Sequence, residues 1–193
     1  MIETCKEMLI DLSRQLGLRL SSGTLNSVAD CMVKIKMPYR KILLQEGEVC
    51  KAIFYLQKGL IRQYSKKGTK EVTENMTLGG VFVCCLESYL KKKPSKTVIQ
   101  TLEPCVIYAF PQKEMKALMA QSTEVCQLYM AIIERMLLDA QHRADILRIG
   151  TAKKRFEAFH KEESELVRRS PQNYMASFLQ IRPETLSRIR SNM

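Results

Sequence analysis

Hydrophobic residues recur at helical spacing over residues 3–20, which predicts an amphipathic helix there. They are Met8, Leu9, Leu12, Leu16 and Leu20. A polar loop at residues 21–24 separates this stretch from a second helical stretch near residues 25–32. We therefore expect short helices ahead of the first strand.

From residue 34 to residue 110 the pattern changes to short runs rich in β-branched and aromatic residues, which is typical of strands. The predicted strands are residues 41–44, 53–56, 60–64, 71–78, 97–101 and 106–110. The turns between them are marked by Gly47, Gly59, Gly68, Gly79 and Gly80. Regular turns of this kind favour a sandwich, barrel or jelly roll, which is closed or double-layered so that strand edges are protected.

After Pro111 the chain has no Gly or Pro until Gly150, so one long helix is expected up to Ile149. From Thr123 onward its apolar positions alternate by three and four residues, which is the seam of a coiled coil. The candidate dimerisation residues in this seam are Cys126, Met130, Ile133, Leu137, Ala140, Ala144 and Leu147. A second apolar stripe runs along the neighbouring face through Val125, Tyr129, Ile132 and Met136. The seam favours a homodimer, although both stripes could instead pack within one monomer.

Gly150 and Thr151 suit the end of one helix and the cap of the next, and residues 151–169 are expected to be helical. Ser170 and Pro171 then suit the start of another helix, whose apolar face is Tyr174, Met175, Phe178 and Leu179. This helix should stop near Gln180, because Pro183 disfavours helical geometry just before it. A last helix is expected over residues 183–191, with Leu186 and Ile189 buried. Two short helices joined by such a turn predict a helix-turn-helix.

The second helix of a helix-turn-helix reads DNA through its outward residues, and arginines are concentrated there. Residues 166–193 contain five Arg and one Glu, within a chain of formal net charge +11. A basic surface suits a polyanionic partner, here double-stranded DNA. The candidate DNA contacts are Arg182, Glu184, Thr185, Ser187, Arg188 and Arg190.

The fold class expected from these patterns is α+β, with three parts. They are a jelly-roll (double-stranded β-helix) domain with short N-terminal helices over residues 1–111, a dimerisation helix over residues 112–149, and a helix-turn-helix over residues 150–193. With 46% hydrophobic residues, 193 residues suffice for a core without disulfides.

The seven cysteines are odd in number and include no CxxC pair, so they do not form a disulfide framework. The N-terminal segment lacks the apolar run of a secretory signal, and no stretch is long and apolar enough for a membrane span. We therefore expect a cytoplasmic protein that does not enter a membrane. An iron–sulfur cluster would need four cysteine thiolates close together, whereas the cysteines of this chain are scattered. A haem would need a well-placed histidine, and the only two, His142 and His160, lie in or near the C-terminal helices. Neither cofactor nor metal is therefore expected.

Two motifs resemble the Crp/Fnr family of bacterial transcription regulators. Residues 47–71, GEVCKAIFYLQKGLIRQYSKKGTKE, resemble the core of the family's cyclic-nucleotide-binding-like roll, and residues 182–190, RPETLSRIR, resemble its recognition helix. The resemblance implies base or phosphate contacts for Glu184, Thr185 and Arg188. Pro183 stands where many members carry a base-reading Arg. The C-terminal segment, residues 150–193, is too short for the family's full β-wing, so we expect fewer contacts to DNA phosphates than a winged member of the family makes.

The resemblance fails at the residues that hold a cyclic nucleotide in the family. Cys84 and Cys85 stand where Gly and the ribose-binding Glu are expected, and Ser95 and Lys96 replace the phosphate-binding Arg pair. Each loss should cost about 1.5–3 kcal/mol, so no response to cyclic AMP is expected. Either another effector or none is then implied. The candidate effector residues are Cys84, Cys85, Glu87, Ser95, Lys96 and Thr97.

The sequence also bears on rival functions. It contains no Gly-rich phosphate loop, no HExxH and no GxSxG, so an enzyme is not expected. The family resemblance implies RNA polymerase as a further partner. The alternative is a ligand-binding or protein-interaction module of the same fold that does not bind DNA. Buried inert thiols are favoured over redox-active ones at Cys84 and Cys85.

Overall fold

A computed structural model describes residues 2–192, with side chains from residue 4 onward. These residues contain eight strands, in chain order β1 Val33–Met37, β2 Ile42–Leu44, β3 Ala52–Lys58, β4 Leu60–Lys67, β5 Lys70–Leu78, β6 Val81–Val83, β7 Thr97–Thr101 and β8 Cys105–Pro111. They also contain nine helices, α1 Ile2–Gln15, α2 Ser22–Cys31, α3 Leu86–Lys91, α4 Gln112–Met119, α5 Thr123–Arg148, α6 Ala152–Glu162, α7 Ser164–Arg169, α8 Gln172–Phe178 and α9 Pro183–Ser191. The predicted α+β class is confirmed.

The strands form two four-stranded antiparallel sheets, ordered β1-β8-β3-β6 and β2-β7-β4-β5. Five consecutive residues of β3, Ala52 to Leu56, are buried, because β3 lies inside its sheet and both of its faces are covered. The β4–β5 hairpin turns at Gly68, whose φ of +62° suits glycine. The double-layered roll predicted from turn spacing is therefore confirmed. Strands β1 and β6 and helix α3 are additional to the predicted elements.

The long helix expected after Pro111 is two helices. Ser122 adopts extended geometry (φ −143°, ψ 119°), and its hydroxyl accepts a hydrogen bond from the Val125 N–H. Serine competes for local backbone groups in this way, so it caps α5 instead of continuing α4. The 26-residue α5 still contains every predicted seam residue.

The C-terminal helices share a second apolar core with one side of the roll. Leu60 and Met76 of the roll pack there with Phe156, Phe159 and Leu186. The single helix expected over residues 151–169 breaks at Glu163, where the backbone leaves helical geometry (φ −122°, ψ 42°). Thr151 caps α6 as predicted, by accepting a hydrogen bond from the Lys154 N–H.

Three predictions of helix ends were wrong. Ile149 rather than Gly150 is the C-cap of α5. Ser170 ends α7, and the N-cap of α8 is Pro171, whose carbonyl accepts the N–H groups of residues 174 and 175. The first helix, α1, ends at Gln15, so residues 16–20 are not helical. Within residues 2–192, no helix is long and apolar enough to cross a membrane.

Candidate functional site

Helices α8 and α9 and the four residues between them have the geometry of a helix-turn-helix. The Ile181 N–H donates to the Ala176 carbonyl at 2.9 Å and closes the turn, while Gln180 takes a left-handed conformation (φ 54°). Pro183 occupies the first turn of α9 as predicted, with Arg182 as its extended N-cap. Leu186 is fully buried against α6 and α8, so α9 is held along one face.

The outer face of α9 presents most of the predicted DNA contacts to solvent. Arg182, Glu184, Ser187, Arg188 and Arg190 are exposed, and Thr185 is half-buried. Arg188 points away from the apolar side of α9, which the buried Leu186 and half-buried Ile189 define, whereas Arg190 flanks that side. Helix α9 is therefore a short helix with exposed arginines, and an α-helix fits the major groove of DNA.

Helix α5 contacts the roll along one face and leaves another apolar face uncovered. Val125, Leu128 and Ile132 are fully buried against the roll. The predicted seam residues are exposed or half-buried, and Met130 and Leu137 are 59% and 67% exposed. The second stripe predicted on α5 therefore packs inside the monomer, whereas of the seam Ile133 packs partly against the roll and Met130 and Leu137 are left exposed.

A cavity of about 570 Å³ opens beside α3 and contains all six predicted effector residues. Those residues lie between β6 and α3, on α3, on the loop before β7 and at the first residue of β7. Polar lining residues that were not predicted from the sequence are Gln63, Glu74 and Asn75 from the β4–β5 hairpin, Ser88 from α3, Lys93 just after α3, and Arg143 from α5. Only the fold brings Arg143 to this place, so no local pattern could have found it.

Polar contacts fix the cavity wall. Asn75 Nδ2 donates to Gln63 Oε1 at 3.0 Å, and Gln63 Nε2 donates to the Cys84 carbonyl at 3.2 Å. Ser95 Oγ donates to the Thr97 carbonyl at 2.7 Å. The charged lining groups are Glu74 and Glu87 against Lys93, Lys96 and Arg143.

Electrostatics at this cavity favour an anion. Partial burial lowers the pKa of Arg143, which Asp139 partly counters, although a guanidinium remains charged at neutral pH. The Glu87 carboxylate is already hydrogen-bonded by Lys91 Nζ at 2.9 Å, which lowers the pKa of Glu87. The cavity thus has three cationic and two anionic side chains, and one of the anions is partnered.

The thiols of the cavity differ in environment. Burial raises the pKa of Cys85 to about 11, so this thiol is protonated at neutral pH. Cys84 and Cys50 approach each other at 3.8 Å between sulfur atoms, a pairing that the sequence analysis did not identify. Within the described part of the chain, no group of three His, Cys, Asp or Glu residues is placed to hold a metal ion.

The roll contacts the helix-turn-helix through its β4–β5 hairpin. Because β5 lies at the edge of its sheet, the Thr73 N–H is free to donate to Ser177 Oγ on α8, at 2.9 Å. The fully buried Arg62 lies between the rings of Tyr64 and Tyr174, 4.2 and 3.8 Å from their centroids. Arg169 also makes a two-pronged contact with Glu103. Polar contacts thus hold the C-terminal helices on the roll.

Comparisons with known proteins agree with this arrangement. Residues 34–122 match the cyclic nucleotide-binding domain family, while no curated protein sequence matches significantly. The solved structure of FixK2 from Bradyrhizobium japonicum is 16% identical, with a TM-score of 0.68 and 83% of each chain covered.

Two further solved structures are similar over most of the chain. The c-di-GMP responsive global regulator CLP of Xanthomonas campestris is 15% identical, with a TM-score of 0.69, and the match covers 89% of this chain and 91% of that one. A Crp/Fnr family regulator from Eubacterium rectale is 15% identical, with a TM-score of 0.67 and coverage of 90% and 83%. Identities this low establish the fold. The fold that the Crp/Fnr resemblance implied is thus confirmed: residues 34–122 match the cyclic nucleotide-binding domain family, and the chain has the fold of solved Crp/Fnr-type regulators.

Proposed function

We propose that this chain is a homodimeric transcription regulator that binds a palindromic DNA operator through α9. The observation that carries the proposal is the exposed outer face of α9. Arg188 lies opposite the fully buried Leu186 that anchors α9, and Arg182 and Arg190 are exposed on the flanks, four residues before and after Leu186. Arginine recognises guanine edges in the major groove and also neutralises phosphates.

The uncovered seam of α5 supports the homodimer. A second copy packed on this seam would bury Met130 and Leu137, which one chain leaves 59% and 67% exposed. Two-fold symmetry would then place two α9 helices on one side of the dimer. Half-sites about 34 Å apart on the duplex would suit such a pair.

The cavity supports an effector other than cyclic AMP. Cys84 and Cys85 stand where the resemblance leads one to expect Gly and a ribose-binding Glu. The carboxylate that would bind a ribose is therefore replaced by the protonated thiol of Cys85. Lys96 and Arg143 line the same space, so an anionic small molecule is the class that the charges suit. The cavity volume of about 570 Å³ is within the usual range for small-molecule sites.

The test of DNA recognition is a duplex selected from a random library, followed by binding measurements on Arg188→Ala. We expect Arg188→Ala to lose roughly 1–3 kcal/mol at one operator position and to discriminate operators poorly. Arg148→Ala is the matched control, because Arg148 is an exposed arginine of α5 that pairs with Asp145. It should bind like the wild type.

Salt dependence separates this proposal from a protein-interaction module of the same fold. Phosphate contacts release counterions, so log K should fall steeply with log salt concentration for the wild type. A module that does not bind DNA would select no duplex and show no such slope. Selection without enrichment, or equal discrimination by Arg188→Ala and wild type, would overturn the assignment of α9.

A further inference from the structure

Two buried thiols face each other at one end of the β3–β6 strand pair, where β3 begins and the edge strand β6 ends. Cys50 lies just before β3, Cys84 lies just after β6, and these strands pair antiparallel. Their sulfur atoms are 3.8 Å apart, and both thiols are directed at the Ala52 carbonyl, at 3.3 Å from Cys50 and 3.7 Å from Cys84. A disulfide needs about 2.05 Å between sulfurs, so the two sulfur atoms must approach by about 1.7 Å as the bond forms.

We propose that Cys50 and Cys84 form a reversible redox site in which a hydroperoxide converts the two thiols into a disulfide. The Cys50 thiolate attacks the peroxide oxygen, the O–O bond breaks, and Cys50 becomes a sulfenic acid while hydroxide leaves. The Cys84 thiol then attacks the Cys50 sulfur, the S–O bond breaks, and water leaves as the S–S bond forms. In total, two thiols and hydrogen peroxide give one disulfide and two waters.

The surroundings assign the two roles. The contact between the two sulfurs, in which either thiol can be the donor, lowers the pKa of Cys50 to about 7, whereas the same contact and burial raise the pKa of Cys84. Cys50 is therefore the nucleophile, and Cys84 is the thiol that resolves the sulfenic acid. Cys85 does not compete, because burial raises its pKa to about 11.

Access and geometry favour a disulfide over the other chemistry of paired thiols. Cys84 lines the 570 Å³ cavity, and the sulfur of Cys50 lies directly behind it, 3.8 Å from the sulfur of Cys84. A small oxidant that enters the cavity is therefore separated from Cys50 only by the Cys84 side chain. A metal ion would need a third ligand, and the described residues supply no such group. The Cys84 carbonyl also accepts the Gln63 hydrogen bond, so the disulfide would form in the wall of the cavity itself.

The first experiment is peptide mapping of the full-length protein after one equivalent of hydrogen peroxide and alkylation of the remaining thiols. We expect a link between the peptide that contains Cys50 and the peptide that contains Cys84 and Cys85, lost on reduction. Fragmentation between the neighbouring Cys84 and Cys85 identifies the linked sulfur without any substitution. Sulfinic acid at Cys50, a link to Cys85, or oxidation confined to Cys31 and Cys126 would each overturn the proposal.

Substitutions and pH give an independent test. Cys85→Ser is the matched control and should form the same link, while Cys84→Ser should leave Cys50 as an unlinked sulfenic acid that a dimedone-type reagent traps. At pH 7 a thiol of pKa about 7 should react about fivefold faster than one of ordinary pKa, since its larger thiolate fraction outweighs its weaker nucleophilicity. The rate should level off above about pH 8; a rate that keeps rising to pH 9 would refute Cys50 as the nucleophile.

Discussion

Replacing Arg62 with alanine is the sharpest test of how the C-terminal helices are held on the roll. Arg62 is 1% exposed, its Nε donates to Thr73 Oγ1 at 3.0 Å, and its Nη1 donates to Glu71 at 2.8 Å. Its guanidinium also lies between Tyr64 of β4 and Tyr174 of α8. One side chain therefore joins two strands of the hairpin to a helix of the helix-turn-helix.

The magnitude follows from these contacts. The charge-assisted hydrogen bond to Thr73 is worth about 1.5 kcal/mol, and the two desolvated cation–π contacts about 1 kcal/mol each. The Glu71 pair adds at most about 1 kcal/mol, because the Glu71 side chain is 42% exposed and solvent screens it. Relief of the buried guanidinium's desolvation returns about 1–2 kcal/mol. We therefore expect Arg62→Ala to lower the free energy of unfolding by about 3 kcal/mol.

Urea unfolding followed by circular dichroism measures this loss. Arg14→Ala is the matched control, because Arg14 and its partner Asp11 are 74% and 70% exposed, and such a pair contributes less than about 1 kcal/mol. A double-mutant cycle between Arg62→Ala and Tyr174→Leu should give a coupling energy of about 1 kcal/mol. A change no larger than that of Arg14→Ala, or a coupling energy of zero, would refute the reasoning.

Three further predictions concern the dimer, a turn and a surface ion pair. Leu137→Asp should give a monomer by light scattering, because it places charge in the α5 seam, whereas Leu90→Asp, at a leucine that is also exposed, should leave a dimer. Gly59→Ala should destabilise by more than about 1 kcal/mol in urea, since φ is +109° and a Cβ would lie 2.5 Å from a neighbouring sulfur, whereas Gly23→Ala within α2 should be neutral or stabilising. The hydrogen bond from Arg169 lowers the pKa of Glu103, so the Glu103–Arg169 pair stabilises the folded protein above pH 4.5, the ordinary pKa of the carboxyl. This contribution to the free energy of unfolding is lost as the pH falls through the lowered pKa of the folded state. Glu103→Gln should therefore flatten the dependence of that free energy on pH in this range.

The elements that the sequence predicted well are those whose signal is local. Turn glycines and alternating runs located most strands, and Pro183 located the start of α9, because a fixed φ is decided by the residue itself. The break at Ser122 was missed, because serine is tolerated inside helices and becomes a cap only when the packing of α4 against α5 requires a bend. The short helix α3 has too few turns to show a period.

The site was predicted in part for the same reason. Six cavity residues were found because they occupy the short segment that corresponds to the family's nucleotide-binding motif, although their identities depart from it. Arg143 was missed because it reaches the cavity from α5, far along the chain. Likewise, Cys84 was considered together with its neighbour Cys85, whereas the fold pairs it with Cys50, 34 residues away. Spacing along a chain does not encode contacts of this range, which depend on strand register.

Strand β4 contacts the cavity with one face and the helix-turn-helix with the other. Successive residues of a strand point to opposite faces, so Gln63 lines the cavity while Arg62 faces α8. Gln63 bonds the Cys84 carbonyl, and Arg62 contacts Tyr174. Because backbone atoms of adjacent residues cannot move independently, a change that displaces the Cys84 carbonyl acts on the strand that also holds α8. A ligand in the cavity and a disulfide in its wall would therefore act through one shared element.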